Sequence, residues 1–302
     1  MSAPTSLLHQ RPWLSPDDTY ALRGLCMIMI VVSHVVDTSG TTFYKYWGGW
    51  GTGVFLFLSG YGLFFSLNRR PADSTYLRRK LAKLLEPYFF MWAVYIILFA
   101  LFDKQQFTWH LMQEFLTLSM PGLAAWFFKI IIGLYILDWL VFRLNISNTA
   151  RLVLVTLTCA AWYIVARQSG MGPWWFNTIL CFPCGMAVAL WYPCLNRNFW
   201  IFPLTILLLT CAWSTVSWGA LPYLWFTAIA ITVIRYLDFT SPVMHFIGNQ
   251  SLFFYFLEVP VLYLLLRTCP YSTPLYAILA VLLCGLLTWG YLSVKRRIIQ
   301  RQ

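Results

Sequence analysis

Long apolar runs, broken by short polar stretches, follow one another along the chain from residue 21 to residue 294. Their approximate bounds are 21–37, 50–68, 84–102, 123–142, 150–166, 174–192, 199–217, 219–237, 248–267 and 274–294. Each is near the roughly 20 residues that a helix needs to cross a bilayer, and the first is short. The pattern predicts an all-α membrane protein with about ten transmembrane helices in one bundle. The longest polar stretches are the N-terminal tail, a loop at 69–83 and a loop at 103–122. None has room for a soluble domain. The chain therefore reads as one integral-membrane domain over 1–302, with a polar tail at 1–20 and a basic tail at 295–302. The stretch before Tyr20 is polar and proline-bearing, so the first span is expected to act as an uncleaved anchor. No internal repeat is visible, which counts mildly against transporter folds built from inverted repeats.

Composition agrees. Of 302 residues, 60% are hydrophobic and only 10% charged, against about 25% charged in a soluble domain. The 21 Lys and Arg residues set an orientation. With the N-terminus inside, the inner segments hold Arg11, Arg69, Arg70, Arg78, Arg79, Lys80, Lys83, Arg143, Arg151, Arg197, Arg235, Lys295, Arg296, Arg297 and Arg301. The outer loops hold only Lys45, Lys104, Arg167 and Arg267. Both termini are thus expected in the cytoplasm. The net charge of +11 is mostly topology. Its spread over short loops argues against a nucleic-acid partner. Most of the eight cysteines lie in or at the edges of spans. Cys181 and Cys184 form a CxxC with no second pair or histidine to complete a metal site, and they read as small buried hydrophobes.

Ionisable groups inside spans are costly and mark candidate chemistry. They are Arg23, His34, Asp37, Glu86, Lys129, Asp138 and Glu258. Arg23 and His34 stand eleven positions apart in RGLCMIMIVVSH, about three turns or roughly 16 Å along one helix face. Met27 and Ile30 lie between them on that face, and Asp37 is one turn beyond. The bland reading is a snorkelling arginine and a histidine bonded between helices. The sharper reading uses histidine as a proton-transfer group near neutral pH, oriented by the Asp37 carboxylate. Arginine binds a carboxylate, a phosphate or an oxyanion.

Three further stretches carry polar groups. In GGWGTGVFLFLSGYGLFFS, glycines suit close helix packing, and Ser59 is a polar handle. In RRPADSTYLRRKLAKLLEPYFF, six cations lead into a span. They suit either a phosphorylated ligand or anionic headgroups and inside-positive topology. In GNQSLFFYFLEVP, Ser251 opens a helix that carries Tyr255 and Glu258, and Glu258 needs a partner from among Arg23, His34 and Lys129.

These residues together resemble the acyltransferase-3 family of integral-membrane O-acyltransferases. RG with a histidine at the far end of the first span is similar to that family's opening motif. GVFLFLSGY resembles its second-span signature, and the basic run entering LLEPY resembles its R-x-x-R and L-x-P-Y region. AWFFKIIIGLYIL, CFPCGM and GNQSLFFYFLEVP are similar to three later motifs, in order. The resemblance implies transfer of an acyl group, commonly acetyl from cytoplasmic acetyl-CoA, to hydroxyls that are often on surface glycans. It implies Arg23 and His34 as the essential pair, and Arg78, Arg79, Lys80 and Lys83 near the CoA phosphates. Two departures stand out. Lys80 and Lys83 hold the positions of the R-x-x-R arginines, keeping charge but losing the two-pronged fork. Glu258 stands where the family commonly has histidine.

The expected mechanism follows. By that resemblance acyl-CoA, commonly acetyl-CoA, is the donor substrate; no bound cofactor and no metal are expected. His34 acts as general base or carries the acyl group transiently, Arg23 positions the donor, Asp37 orients His34, and Glu258 supports the charge or shares the proton. Ser59, Tyr61, Trp126, Ser251 and Tyr255 are the expected substrate contacts. Tryptophans toward the outer side, among them Trp47, Trp50, Trp109, Trp174, Trp175 and Trp218, suit either a sugar or an interfacial belt. The expected setting is a bacterial inner membrane with a glycan or glycolipid acceptor. The rival reading is a polytopic transporter or glycan exporter.

Overall fold

The computed structural model describes residues 14–37, 46–69, 72–102, 109–118, 125–198, 200–216, 218–237, 241–268 and 273–300. Among these there are twelve α-helices and no strand. In chain order they are α1 (Pro16–Asp37), α2 (Trp47–Arg69), α3 (Ser74–Phe102), α4 (Trp109–Leu116), α5 (Ala125–Phe142) and α6 (Asn148–Gln168). A short 3-10 turn at Pro173–Trp175 precedes α7 (Cys181–Arg197), α8 (Ile201–Thr215), α9 (Leu221–Tyr236), α10 (Pro242–Asn249), α11 (Ser251–Thr268) and α12 (Thr273–Ile299).

Each predicted span coincides with a helix, but several edges move for local reasons. The first helix starts at Pro16, inside the tail read as polar, because Ser15 and Asp18 cap it reciprocally. Asp18 N–H donates to Ser15 Oγ (3.1 Å) and Ser15 N–H to Asp18 Oδ2 (2.8 Å), a capping box with proline at the first helical position. The stretch expected as a loop over 69–83 is helical from Ser74, since Tyr76 N–H donates to Asp73 Oδ1 (2.6 Å). The span expected from 174 begins as a helix only at Cys181, after the proline-led 3-10 turn. The span expected from 248 is broken at Gln250, where α10 ends and α11 begins.

Among the described residues six helices are long and apolar enough to cross a membrane: α1, α2, α3, α6, α11 and α12. The helices α5, α7, α8 and α9 run to 18, 17, 15 and 16 residues. The architecture is that of a multi-pass membrane protein. In α1, α2 and α11 the most apolar window is 61%, 67% and 61% buried inside the protein, against 22%, 28% and 17% in α3, α6 and α12. The first three therefore form the centre, and the latter three turn apolar side chains such as Ile97, Leu157 and Leu286 outward, as lipid requires.

Glycines set the central crossings. A Cβ at Gly24 of α1 would land on the carbonyl oxygen of Met244, and one at Gly248 on that of Tyr20. So α1 and α10 meet backbone to backbone. The same relation joins α2 to α7, where Gly60 faces the Phe182 carbonyl and Gly185 the Phe57 carbonyl. Small residues allow such contacts in lipid, where burial alone does not drive helices together.

Candidate active site

The face of α1 that carries Arg23, Met27 and Ile30 forms one wall of a cavity of about 200 Å³. The spacing of four and three residues keeps these side chains on one side of the helix. α2 adds Thr52, Phe55 and Ser59; α5 adds Phe127, Ile131 and Tyr135. α3 contributes Lys83 and Leu84. The α10–α11 junction contributes Asn249, Ser251, Leu252 and Tyr255. The cavity is apolar along most of its length and cationic at one end. Arg23 is half-buried there and Lys83 is exposed, so that end is the mouth.

The crossing of α1 on α10 explains this convergence. Gly24 is the residue after Arg23, and Gly248 is the residue before Asn249. Their close approach places the polar junction of α10 and α11 beside the arginine. On α5, Ser59 of α2 reaches the Tyr135 hydroxyl, and the Arg23 charge acts on the same phenol. A guanidinium, an ammonium, several hydroxyl side chains and an amide thus surround a space suited to an anionic, oxygen-rich group.

One turn past Ile30 on α1, and one turn past Tyr255 on α11, the second feature appears. His34 Nδ1 lies 3.0 Å from Glu258 Oε1. The Glu258 side chain is fully buried and that of His34 is 15% exposed. Of the three partners open to Glu258, the fold selects His34. A carboxylate at this distance stabilises the ring when it takes up a proton. Tyr95, Tyr255 and Cys284 stand close enough for the Glu258 charge to act on them. Both side chains lie largely inside the protein, and a charge there depends on its partner.

The sequence-predicted residues divide accordingly. Arg23, Ser59, Lys83, Ser251 and Tyr255 meet at the cavity. His34 and Glu258 meet each other just beyond it. Arg78 and Arg79 are exposed on α3, and Lys80 lies over the Tyr76 ring at 5.5 Å. None of those three lines the cavity. Tyr61 is buried and its hydroxyl accepts from Leu14 N–H (3.0 Å), tying the start of α1 to α2. Trp126 is half-buried against Phe127 at the rim of α5. Asp37 ends α1, and its side chain lies outside the described residues.

Sequence reasoning missed Phe55, Phe127, Tyr135 and Asn249. A signal existed for two of them: Phe127, Ile131 and Tyr135 recur every fourth residue in FFKIIIGLY, which is one helix face. Nothing in the sequence says which face meets α1. Asp138, a buried carboxylate, sits three residues on from Tyr135 and faces the Arg151 charge on α6 instead.

The site therefore has three parts: a cationic mouth, a largely apolar passage, and a histidine–carboxylate pair one helical turn beyond it. A family model described as an acyltransferase domain matches residues 20–294. The chain therefore belongs to the acyltransferase-3 family. Comparison with curated proteins and with solved structures gives no match.

Proposed function

We propose that this protein is a membrane O-acyltransferase that moves an acyl group, acetyl in the simplest case, from cytoplasmic acyl-CoA to a hydroxyl of an envelope or extracellular glycan. One observation carries the reading. The cavity that opens at Arg23 and Lys83 ends one helical turn from the His34–Glu258 pair. In this reading both termini are cytoplasmic and the helices α5, α7, α8 and α9 also cross the membrane, here the inner membrane of a bacterium.

The donor's phosphates rest at the mouth against Lys83 and Arg23, and its thioester arm runs along the apolar wall of Met27, Ile30, Phe55 and Phe127. The acceptor hydroxyl approaches from the opposite side. His34 Nε2 takes the hydroxyl proton as the oxygen attacks the thioester carbonyl. The carbon–sulfur bond breaks, the new ester leaves, and the imidazolium returns its proton to the CoA thiolate. Glu258 offsets the positive charge on His34 during the step. The same atoms balance if the acyl group rests briefly on His34. In that case the imidazole displaces CoA first and the acceptor oxygen displaces the imidazole.

The test is base-labile acetate on the envelope glycans of a deletion strain, complemented with wild type or with His34→Ala at equal protein level. Acetate returning with wild type alone supports the reading. Equal restoration by His34→Ala sinks it and moves the exporter reading ahead. An exporter would also move glycan without consuming acyl-CoA.

A further inference from the structure

The cavity mouth is held from behind by a cluster that the proposed transfer step does not use. Glu86 lies one turn after Lys83 on α3 and is not part of the cavity lining. Its Oε1 accepts from the Tyr291 hydroxyl (3.0 Å) and from Lys295 Nζ, both on α12. Below this polar contact three rings close the gap between helices. Tyr291 stacks on Phe253 of α11 with centroids 4.6 Å apart and planes at 21°. Phe90 of α3 meets Tyr291 at 4.6 Å and Phe253 at 5.4 Å.

We propose that Glu86, Tyr291 and Lys295 form a positioning clamp that fixes Lys83 at the cavity mouth and so sets affinity for the acyl donor. This rests on the reading of the cavity as the acyl-CoA site. Three observations support it. The clamp joins α3 to α12, two helices whose most apolar windows are only 22% and 17% buried inside the protein. The clamp spans α11 and grips Phe253, whose neighbours Ser251 and Leu252 line the cavity wall facing Lys83. Finally, Pro87 follows Glu86 and has no N–H to give the Lys83 carbonyl; the turn that carries Lys83 is loosened at that point. An exposed ion pair by itself stabilises little, and both Glu86 and Lys295 are substantially exposed. The role of this pair is geometric: it ties a loosened turn to a second helix through three side chains.

The experiment measures KM and kcat for acetyl-CoA with the full-length protein in membranes. The variants are Glu86→Gln, Lys295→Met, Lys83→Ala, the double Lys83→Ala/Glu86→Gln, and the exchange Glu86→Lys/Lys295→Glu. Melting temperature in detergent is followed for each. Glu86→Gln is expected to raise KM roughly tenfold with kcat within about twofold, the signature of lost donor positioning. The exchange is expected to restore KM. The double variant is expected to match Lys83→Ala alone, because the clamp acts through that lysine. An unchanged KM in Glu86→Gln, where Lys83→Ala raises it, overturns the clamp. So does an exchange that melts like wild type yet keeps the high KM, or a double variant in which the two effects simply add. An unchanged KM in Lys83→Ala instead removes the acyl-CoA reading of the mouth.

Discussion

The two ends of the α1 stripe are built differently. At the Arg23 end, cations face an open space. Arg23 is half-buried, Lys83 is exposed, and the hydroxyls and amide around them line a cavity mouth. At the His34 end, an imidazole and a carboxylate face each other at 3.0 Å with Glu258 wholly inside the protein. A set of donors around a cavity suits a ligand that arrives carrying its own negative charge. A closed pair suits a proton that must be held and passed on within the protein. One helix joins the two because its polar residues share a face while its glycine lets α10 approach from the side.

This comparison predicts unequal penalties. His34→Ala is expected to lower acyl transfer by about 10³-fold or more at unchanged protein level, the scale of a lost general base. Turnover assays on membranes check it, and a fall of only a few-fold would move His34 out of the proton path. Gly248→Val tests the crossing that joins the two ends. Its side chain would meet the Tyr20 carbonyl, and the expected loss is about 3 kcal/mol of stability, read as a lower melting temperature in detergent. A variant that melts like wild type would mean that α10 shifts freely, and that the crossing does not fix Asn249 beside Arg23.

Smaller effects sharpen the contrast. Glu258→Gln keeps shape but removes the charge, and kcat is expected to fall about 10²-fold with KM for the donor little changed. Lys83→Ala should do the reverse, raising KM for acetyl-CoA roughly tenfold with kcat nearly constant. If the two variants gave the same pattern, the division between a binding end and a proton end would be lost. Tyr61→Phe is expected to cost least, about 1 kcal/mol, for one buried hydrogen bond from Leu14 N–H. Thermal melting reads that loss, and donor KM should stay at the wild-type value because Tyr61 lies outside the cavity lining.

Much of the membrane architecture was legible along the chain. Each run that hydropathy marked is a helix, because a backbone in lipid must satisfy itself segment by segment. The Arg23–Met27–Ile30–His34 face was legible too, since helical periodicity is a property of neighbours in sequence. Two short helices, α4 and α10, were not, being only eight residues each. The start of α3 was hidden because a run of Arg and Lys reads as a loop, although Asp73 caps it as a helix.

The candidate site separates along the same line. Along the chain the available residue types were already clear: one histidine within the predicted spans, a few carboxylates and a basic run at one edge. The tertiary structure decided which of them meet. It paired Glu258 with His34 across 224 residues of chain, drew Lys83 to the cavity, and left Arg78 and Arg79 exposed on the same helix. The physical reason is that hydropathy and helical period act within one segment. Contacts between segments depend on where two backbones touch, and Gly24 on α1 and Gly248 on α10 specify that contact only as a pair.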